Sequence, residues 1–176
     1  MTVLVIGKPD SGKSALAENI SLELSVEGKR IYLATMIPYG DEGKERVQKH
    51  RNLREGKGFV TVERARDLSF LPDEAGEIAG IKAPEATVLL ECVANLCANV
   101  MFDEKTGQCK ETDETVETVV TDDILALKTQ VKNLVIVTNE FDTDGIDDTG
   151  TLRYIKVMSR INNNLKKYAD RICDIC

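Results

Sequence analysis

Apolar residues in this chain come in short runs separated by longer mixed stretches. Residues 3–6, 30–34, 59–62, 87–90 and 134–138 are four to five residues long and rich in Val, Ile, Leu and Tyr, which predicts strands. The stretches between them are of helical length. A run of good helix formers covers 15–20, and Asp41 is placed to cap a helix reaching about Leu53. Further helices are predicted from the end of the fourth strand to about Met101, over 116–131 and over 152–169. Residues 65–80 read as weakly helical, interrupted by Pro72 and two glycines. Residues 27–29 form a turn, 142–150 a loop rich in Asp, Gly and Thr, and 171–176 a last short strand.

The first strand leads straight into Gly7-Lys8-Pro9-Asp10-Ser11-Gly12-Lys13-Ser14, and a helix follows. This is G-x-x-x-x-G-K-[ST] in the strand–loop–helix context that phosphate binding requires. Gly7 and Gly12 let the backbone approach a phosphate, and the N–H groups of the loop and helix start face anionic oxygens. Lys13 reaches the outer phosphates, and the Ser14 hydroxyl is placed to ligate Mg²⁺. Strands alternating with helices predict an α/β fold: a P-loop NTPase-like, three-layer domain with a mostly parallel central sheet. At 176 residues it is expected to be a single nucleotide-binding catalytic domain over 1–176. Ligands of such sheets sit at the carboxyl ends of strands, where Thr35, Glu63, Glu91 and Glu140 also fall.

Composition narrows the partners. The net charge is −7, and residues 103–123, with eight acids and two lysines, carry −6 of it. A nucleic-acid binder would show a basic stripe instead; the acidic stretch reads as a solvated loop and helix start. No run approaches the length of a membrane span, and the chain enters a strand at once, so neither a span nor a signal peptide is expected. Five cysteines, an odd count, fit a reduced cytoplasmic protein. Cys173 and Cys176 have C-x-x-C spacing but lack the second pair of a zinc site and a following helix, so a structural or incidental role is expected.

His50 is the single histidine. Arg46 and Arg54 lie four residues to either side, near one helix face, and Lys49 and Arg51 add charge. One reading is a solvated basic face that happens to carry a histidine. The other is chemical. Neighbouring cations keep the imidazole neutral and nucleophilic, and the same cations neutralise a phosphate under attack. Attack on a nucleotide α-phosphate would give a covalent nucleotidyl–His intermediate.

Several motifs, in order, resemble those of the bifunctional adenosylcobinamide kinase / adenosylcobinamide-phosphate guanylyltransferases of cobalamin biosynthesis. After the phosphate loop, Tyr32-Leu33-Ala34-Thr35 resembles the family's Y-I-A-T, and Arg46-Val47-Gln48-Lys49-His50-Arg51 its R-I-x-x-H segment. Phe59-Val60-Thr61-Val62-Glu63 resembles W-x-T-x-E, Leu89-Leu90-Glu91-Cys92 with Asn99 resembles L-L-E-C and its Asn, and Val137-Thr138-Asn139-Glu140 resembles V-T-N-E. Arg160-Ile161-Asn162, Leu165 and Ala169-Asp170 resemble the last helix, so the likeness spans nearly the whole chain.

The resemblance implies phosphorylation of the aminopropanol hydroxyl of adenosylcobinamide by a nucleoside triphosphate, then transfer of GMP from GTP to adenosylcobinamide phosphate. It implies GTP, ATP and Mg²⁺ as cofactors and a homo-oligomer, a trimer by likeness. It makes His50 the guanylylated residue, with Lys13 as the catalytic lysine. Gly7, Lys8, Pro9, Asp10, Ser11, Gly12, Lys13, Ser14, Ala34, Thr35, Met36, Arg51, Asn52, Leu53, Arg54, Glu63 and Glu91 become nucleotide contacts, and Ser14 the metal ligand. A carboxylate at Glu63 or Glu91 would accept from guanine's N1–H and amine and so select guanine. The chain departs from the family pattern at Lys8-Pro9-Asp10 and at 142–148, and it is expected to lack the family's final strand and Gly-containing tail. Two other readings stay open: a small-molecule P-loop kinase without a covalent intermediate, and a non-catalytic nucleotide-binding paralogue.

Overall fold

Six strands line up, the four inner ones apolar on both faces and the two edge strands partly exposed. The structure, a computed structural model, describes residues 1–176 apart from Glu27, Tyr39 and Cys176; for Glu42, Lys44, Arg46, Lys49, His50, Arg51 and Leu53 it describes the helix they belong to but not their side chains. In chain order the strands are β1 (Thr2–Gly7), β2 (Arg30–Ala34), β3 (Phe59–Glu63), β4 (Glu77–Ile78), β5 (Ile81–Lys82), β6 (Thr87–Glu91), β7 (Asn133–Asn139) and β8 (Arg171–Ile175). The helices are α1 (Lys13–Leu24), α2 (Gly40–Arg54), α3 (Val93–Met101), α4 (Asp113–Gln130) and α5 (Thr149–Tyr168).

The main sheet runs β3-β2-β6-β7-β1-β8 with every neighbouring pair parallel. Alternate side chains go to opposite faces. Leu4, Leu90, Leu134 and Ile136 join Leu96, Val120, Ile124, Leu127, Val157 and Ile161 in the core under α3, α4 and α5. Val3, Val5, Tyr32, Leu89, Val135 and Val137 pack with Ala17 and Ile20 of α1 on the other face. This is the P-loop NTPase-like three-layer fold. One row of the ladder runs Glu63–Ala34–Glu91–Val137–Val5–Cys173 across all six strands. It brings two of the strand-end carboxylates to one level of one face.

Two expectations need correction. Residues 65–80 are not helical: a 3-10 turn at Leu68–Phe70 is followed by the antiparallel β4–β5 ribbon. The Asp73 side chain accepts from the N–H groups of Ala75 and Glu77, both at 2.9 Å, and Gly76 takes a positive φ of 75°. These local bonds outcompete the helical ladder. Asp41 is not a cap, since α2 already begins at Gly40; it lies in the first turn, where negative charge still suits the helix dipole. The last short strand expected over 171–176 is present: β8 follows α5 and pairs with β1. Helices α4 and α5 also start three residues earlier than expected. Thr112 and Asp148 accept from the N–H groups of Thr115 and Thr151 and so fix those starts.

Candidate active site

The phosphate loop hangs between the end of β1 and the start of α1. Gly7 ends its strand against β8, and a Cβ there would run into the backbone carbonyl oxygen of Ile175. Asp10 and Gly12 both hold positive φ, 59° and 88°. Gly12 is the N-cap of α1, and no side chain caps that end, so the first N–H groups of the helix face the loop. Lys13 is 6% exposed, and its ammonium donates to the carbonyl of Lys8 at 2.5 Å, drawing the loop closed. Burial pulls its pKa down, offset by the negative charge of Glu91 and Asp10 nearby. The Ser11 hydroxyl is buried without a partner. Lys8, Pro9 and Asp10 form the exposed rim of the loop.

Glu91 comes to this loop from two strands away. Helix α1 lies across β7 and β6, so the Ser14 hydroxyl donates to Glu91 Oε1 at 2.5 Å. The other carboxylate oxygen, Oε2, is buried with no partner. Burial raises the Glu91 pKa above the ordinary carboxyl value; the Ser14 hydrogen bond opposes the shift, as do Arg54 and Lys13. Next along the chain, burial pushes the Cys92 thiol up to about 11, which leaves it a poor nucleophile.

The tip of β6 is locked to that of β2. Thr35 Oγ1 donates to the Cys92 carbonyl at 2.7 Å and accepts from the Cys92 N–H at 2.8 Å. Asn99 of α3 donates to the carbonyls of Thr35 and Ala65, at 2.7 and 3.0 Å. Thr35 is fully buried, while Ala34 and Met36 beside it are half-exposed. Glu63 lies in the same ladder row as Glu91, two strands away, about 10 Å at the usual strand spacing.

The end of α2 folds over this face. The Arg54 guanidinium carbon stands 3.2 Å from the centroid of the Tyr32 ring. Arg54 is 6% exposed, and its Nε and Nη1 have no hydrogen-bond partner. Three residues on, Lys57 pairs with the buried Glu18 of α1 at 2.5 Å. Asn52, two residues from Arg54, takes the opposite side of the helix: it is exposed and accepts from Gln48 at 2.8 Å. The structure thus gathers the phosphate loop, Glu91, Thr35 and Arg54, sets Glu63 apart along the row, and turns Asn52 away. His50, Arg51 and Leu53 have side chains outside the described residues. Glu18, Tyr32 and Lys57 were not singled out from sequence. Glu18 was within reach, because it follows Ser14 by four residues and so shares its helix face.

On the other face, the tip of β7 is pinned to α5. Thr138 Oγ1 donates to Asn162 Oδ1 at 2.6 Å, and Asn162 Nδ2 donates to the carbonyl of Asn139 at 3.0 Å. Beside it a cleft of about 100 Å³ opens, lined by Glu140, Phe141, Met158, Ser159, Asn162 and Lys166 among others. Glu140 N–H donates to the Gly7 carbonyl at 2.9 Å, and Lys8 pairs with Asp142 at 2.7 Å, so this segment borders the phosphate loop.

A glycine loop between a central strand and a helix, met by a carboxylate from a second strand, defines a P-loop nucleotide-binding protein. An ATPase of the type III secretion system of pathogenic bacteria shares the fold, with a TM-score of 0.52 at 13% identity over 97% of this chain and 50% of that one. Residues 3–176 match the model of the family described as cobinamide kinase / cobinamide phosphate guanyltransferase, and the chain belongs to that family. Two proteins named bifunctional adenosylcobalamin biosynthesis protein CobU are similar. That of Escherichia coli K12 is 29% identical and that of Salmonella typhimurium LT2 is 26% identical; each match covers 98% of this chain and 93% of the relative. No helix among the described residues is long and apolar enough to cross a membrane.

Proposed function

We propose that the chain is one catalytic unit over 1–176 that phosphorylates adenosylcobinamide and then transfers GMP from GTP to adenosylcobinamide phosphate. The observation that carries the reading is the Ser14–Glu91 contact, within a chain of this family. It joins the phosphate loop to the L-L-E-C tip, the two motifs that a triphosphate must span. The loop N–H groups and Lys13 hold the β- and γ-phosphates of ATP or GTP. Arg54 offers the unpartnered Nε and Nη1 of its guanidinium to the same anion.

Ser14 Oγ and the unpartnered Glu91 Oε2 are hard oxygen donors side by side, which suits Mg²⁺; that ion commonly takes one or two carboxylates and completes its shell with phosphates and water. The ion supplies neutralisation of charge developing on the phosphate oxygens. This assigns Glu91 to the metal and leaves the reading of guanine's N1–H and amine to Glu63.

In the second reaction the His50 imidazole attacks the α-phosphorus of GTP. A nitrogen–phosphorus bond forms, and pyrophosphate leaves with the bridging oxygen. A phosphate oxygen of adenosylcobinamide phosphate then attacks the same phosphorus and releases the imidazole, giving adenosylcobinamide-GDP. Cytoplasmic residence and a homo-oligomer, a trimer by family likeness, belong to the same reading. The test is incubation with α-³²P-GTP followed by denaturation. Acid-labile, base-stable label is expected on the protein and should vanish in His50→Ala. Label that persists in that variant would refute the intermediate.

A further inference from the structure

We infer that the cleft between the tip of β7 and α5 seats the hydroxyl-bearing arm of the phosphoryl acceptor, with Glu140 as the general base. The inference rests on the function proposed above and adds a subsite to it. β7 lies between β1, which carries the phosphate loop, and β6, which carries Glu91. The carboxyl tip of β7 therefore lies between those of the two strands, and the segment that follows it borders the loop: Glu140 N–H donates to the Gly7 carbonyl at 2.9 Å and Lys8 pairs with Asp142 at 2.7 Å.

The two faces at that tip differ. α1 and the Arg54 end of α2 cover one face, with the loop and Glu91. The cleft opens on the other, under α5. In-line displacement at phosphorus needs entering and leaving oxygens on opposite sides, and donor and acceptor arriving from opposite faces of one strand tip meet that need. At about 100 Å³ the cleft is too small for a macrocycle, since whole-ligand pockets run to several hundred Å³. It suits a short arm. Its lining also fits a short amphipathic alcohol: Phe141, Ile155 and Met158 offer apolar contact, and Asn163, Ser159 and Lys166 polar contact. The Thr138–Asn162–Asn139 bonds hold the floor in place, which keeps Glu140 beside the Gly7 carbonyl.

The step balances. The acceptor oxygen bonds to the γ-phosphorus as its proton passes to the Glu140 carboxylate. The bond from that phosphorus to the β–γ bridging oxygen breaks, and the nucleoside diphosphate leaves with the electron pair. Glu140 then returns the proton to water.

Two variants test this, with adenosylcobinamide and ATP as probes. Ser159 is exposed on α5 and lines the cleft, so Ser159→Trp fills it without touching the core. Its Kd for adenosylcobinamide, by equilibrium dialysis without nucleotide, should rise at least about tenfold, with ATP affinity unchanged. Glu140→Gln should lower kcat for phosphoryl transfer about a hundredfold or more, and Glu140→Asp should recover part of it. Wild-type acceptor affinity in Ser159→Trp would overturn the seat, and near-wild-type kcat in Glu140→Gln would overturn the base. A wild-type protein that binds adenosylcobinamide but transfers no phosphate would instead sink the proposed function, and the dialysis result would still decide the cleft.

Discussion

The phosphate loop and the helix that carries His50 border the same crevice, yet they are held by different forces. β1 is fully buried and laddered on both sides, to β7 and to β8, so burial and backbone pairing fix where the loop starts. α2 has the sequence GDEGKERVQKHRNLR, with Val47 and Leu53 its only large apolar residues. A helix that polar gains little from a core, and two polar anchors hold its C-terminal end: Arg54 on Tyr32, and Lys57 of the following turn on Glu18. In the proposed function the loop would grip the triphosphate in both reactions, whereas the imidazole would have to reach the α-phosphorus in one reaction and yield the nucleotide in the next. The difference teaches that the phosphate loop is built into the sheet, while the helix carrying His50 hangs on polar contacts that can be weakened without unfolding the domain.

The largest effect should come from the shared grip. Lys13→Ala should reduce both phosphoryl transfer and covalent labelling at least about a hundredfold, measured with γ- and α-labelled nucleotide. Loss of only one activity would mean that the loop does not serve both.

Uncoupling the helix is next. Glu18→Gln or Lys57→Met should slow labelling of His50 about tenfold through lost positioning, with nucleotide affinity changed less than about threefold. The swap Glu18→Lys with Lys57→Glu should recover part of the rate. A parallel fall in binding and labelling would erase the distinction between the two regions.

The loop region should respond in stability where the helix does not. Gly7→Ala forces a Cβ into the Ile175 carbonyl and should cost about 1–3 kcal/mol, read from urea unfolding. The smallest effect concerns Glu91. Burial raises its pKa, so the fold favours the protonated carboxyl. That contribution is complete below the ordinary carboxyl range and is lost as pH rises through the raised value. Glu91→Gln keeps a neutral group at every pH. Its melting temperature relative to wild type, without Mg²⁺, should therefore rise between pH 4 and pH 8, even as activity falls.

The strands were legible because each is a short apolar run bounded by turns, and β1, β2, β3, β6 and β7 fall within a residue or two of their sequence positions. The phosphate loop was legible because its chemistry is local. Residues 65–80 were not, since Asp73 and Gly76 act through side-chain and φ preferences that periodicity does not register. The site was legible where one motif holds its own chemistry and illegible where distant segments meet. Nothing local to Glu91 tells that its partner is Ser14, whereas the two-residue spacing of Asn52 and Arg54 already sets them on opposite sides of a helix. The Arg54–Tyr32 and Lys57–Glu18 pairs depend on how α2 lies over the sheet, which spacing alone cannot give.

The ladder partners of β1 lie far down the chain: Thr2 pairs with Leu134, and its N–H donates to Asp170, 168 residues on. Contacts that distant close large loops, and they slow a chain's search for its native state. Residues 7–14 alone therefore carry a signature without a scaffold. The cradle exists only once β7 and β8 have docked, so tight nucleotide capture doubles as a late checkpoint of maturation, and ligand added during refolding should trap the finished molecule rather than hasten its early collapse.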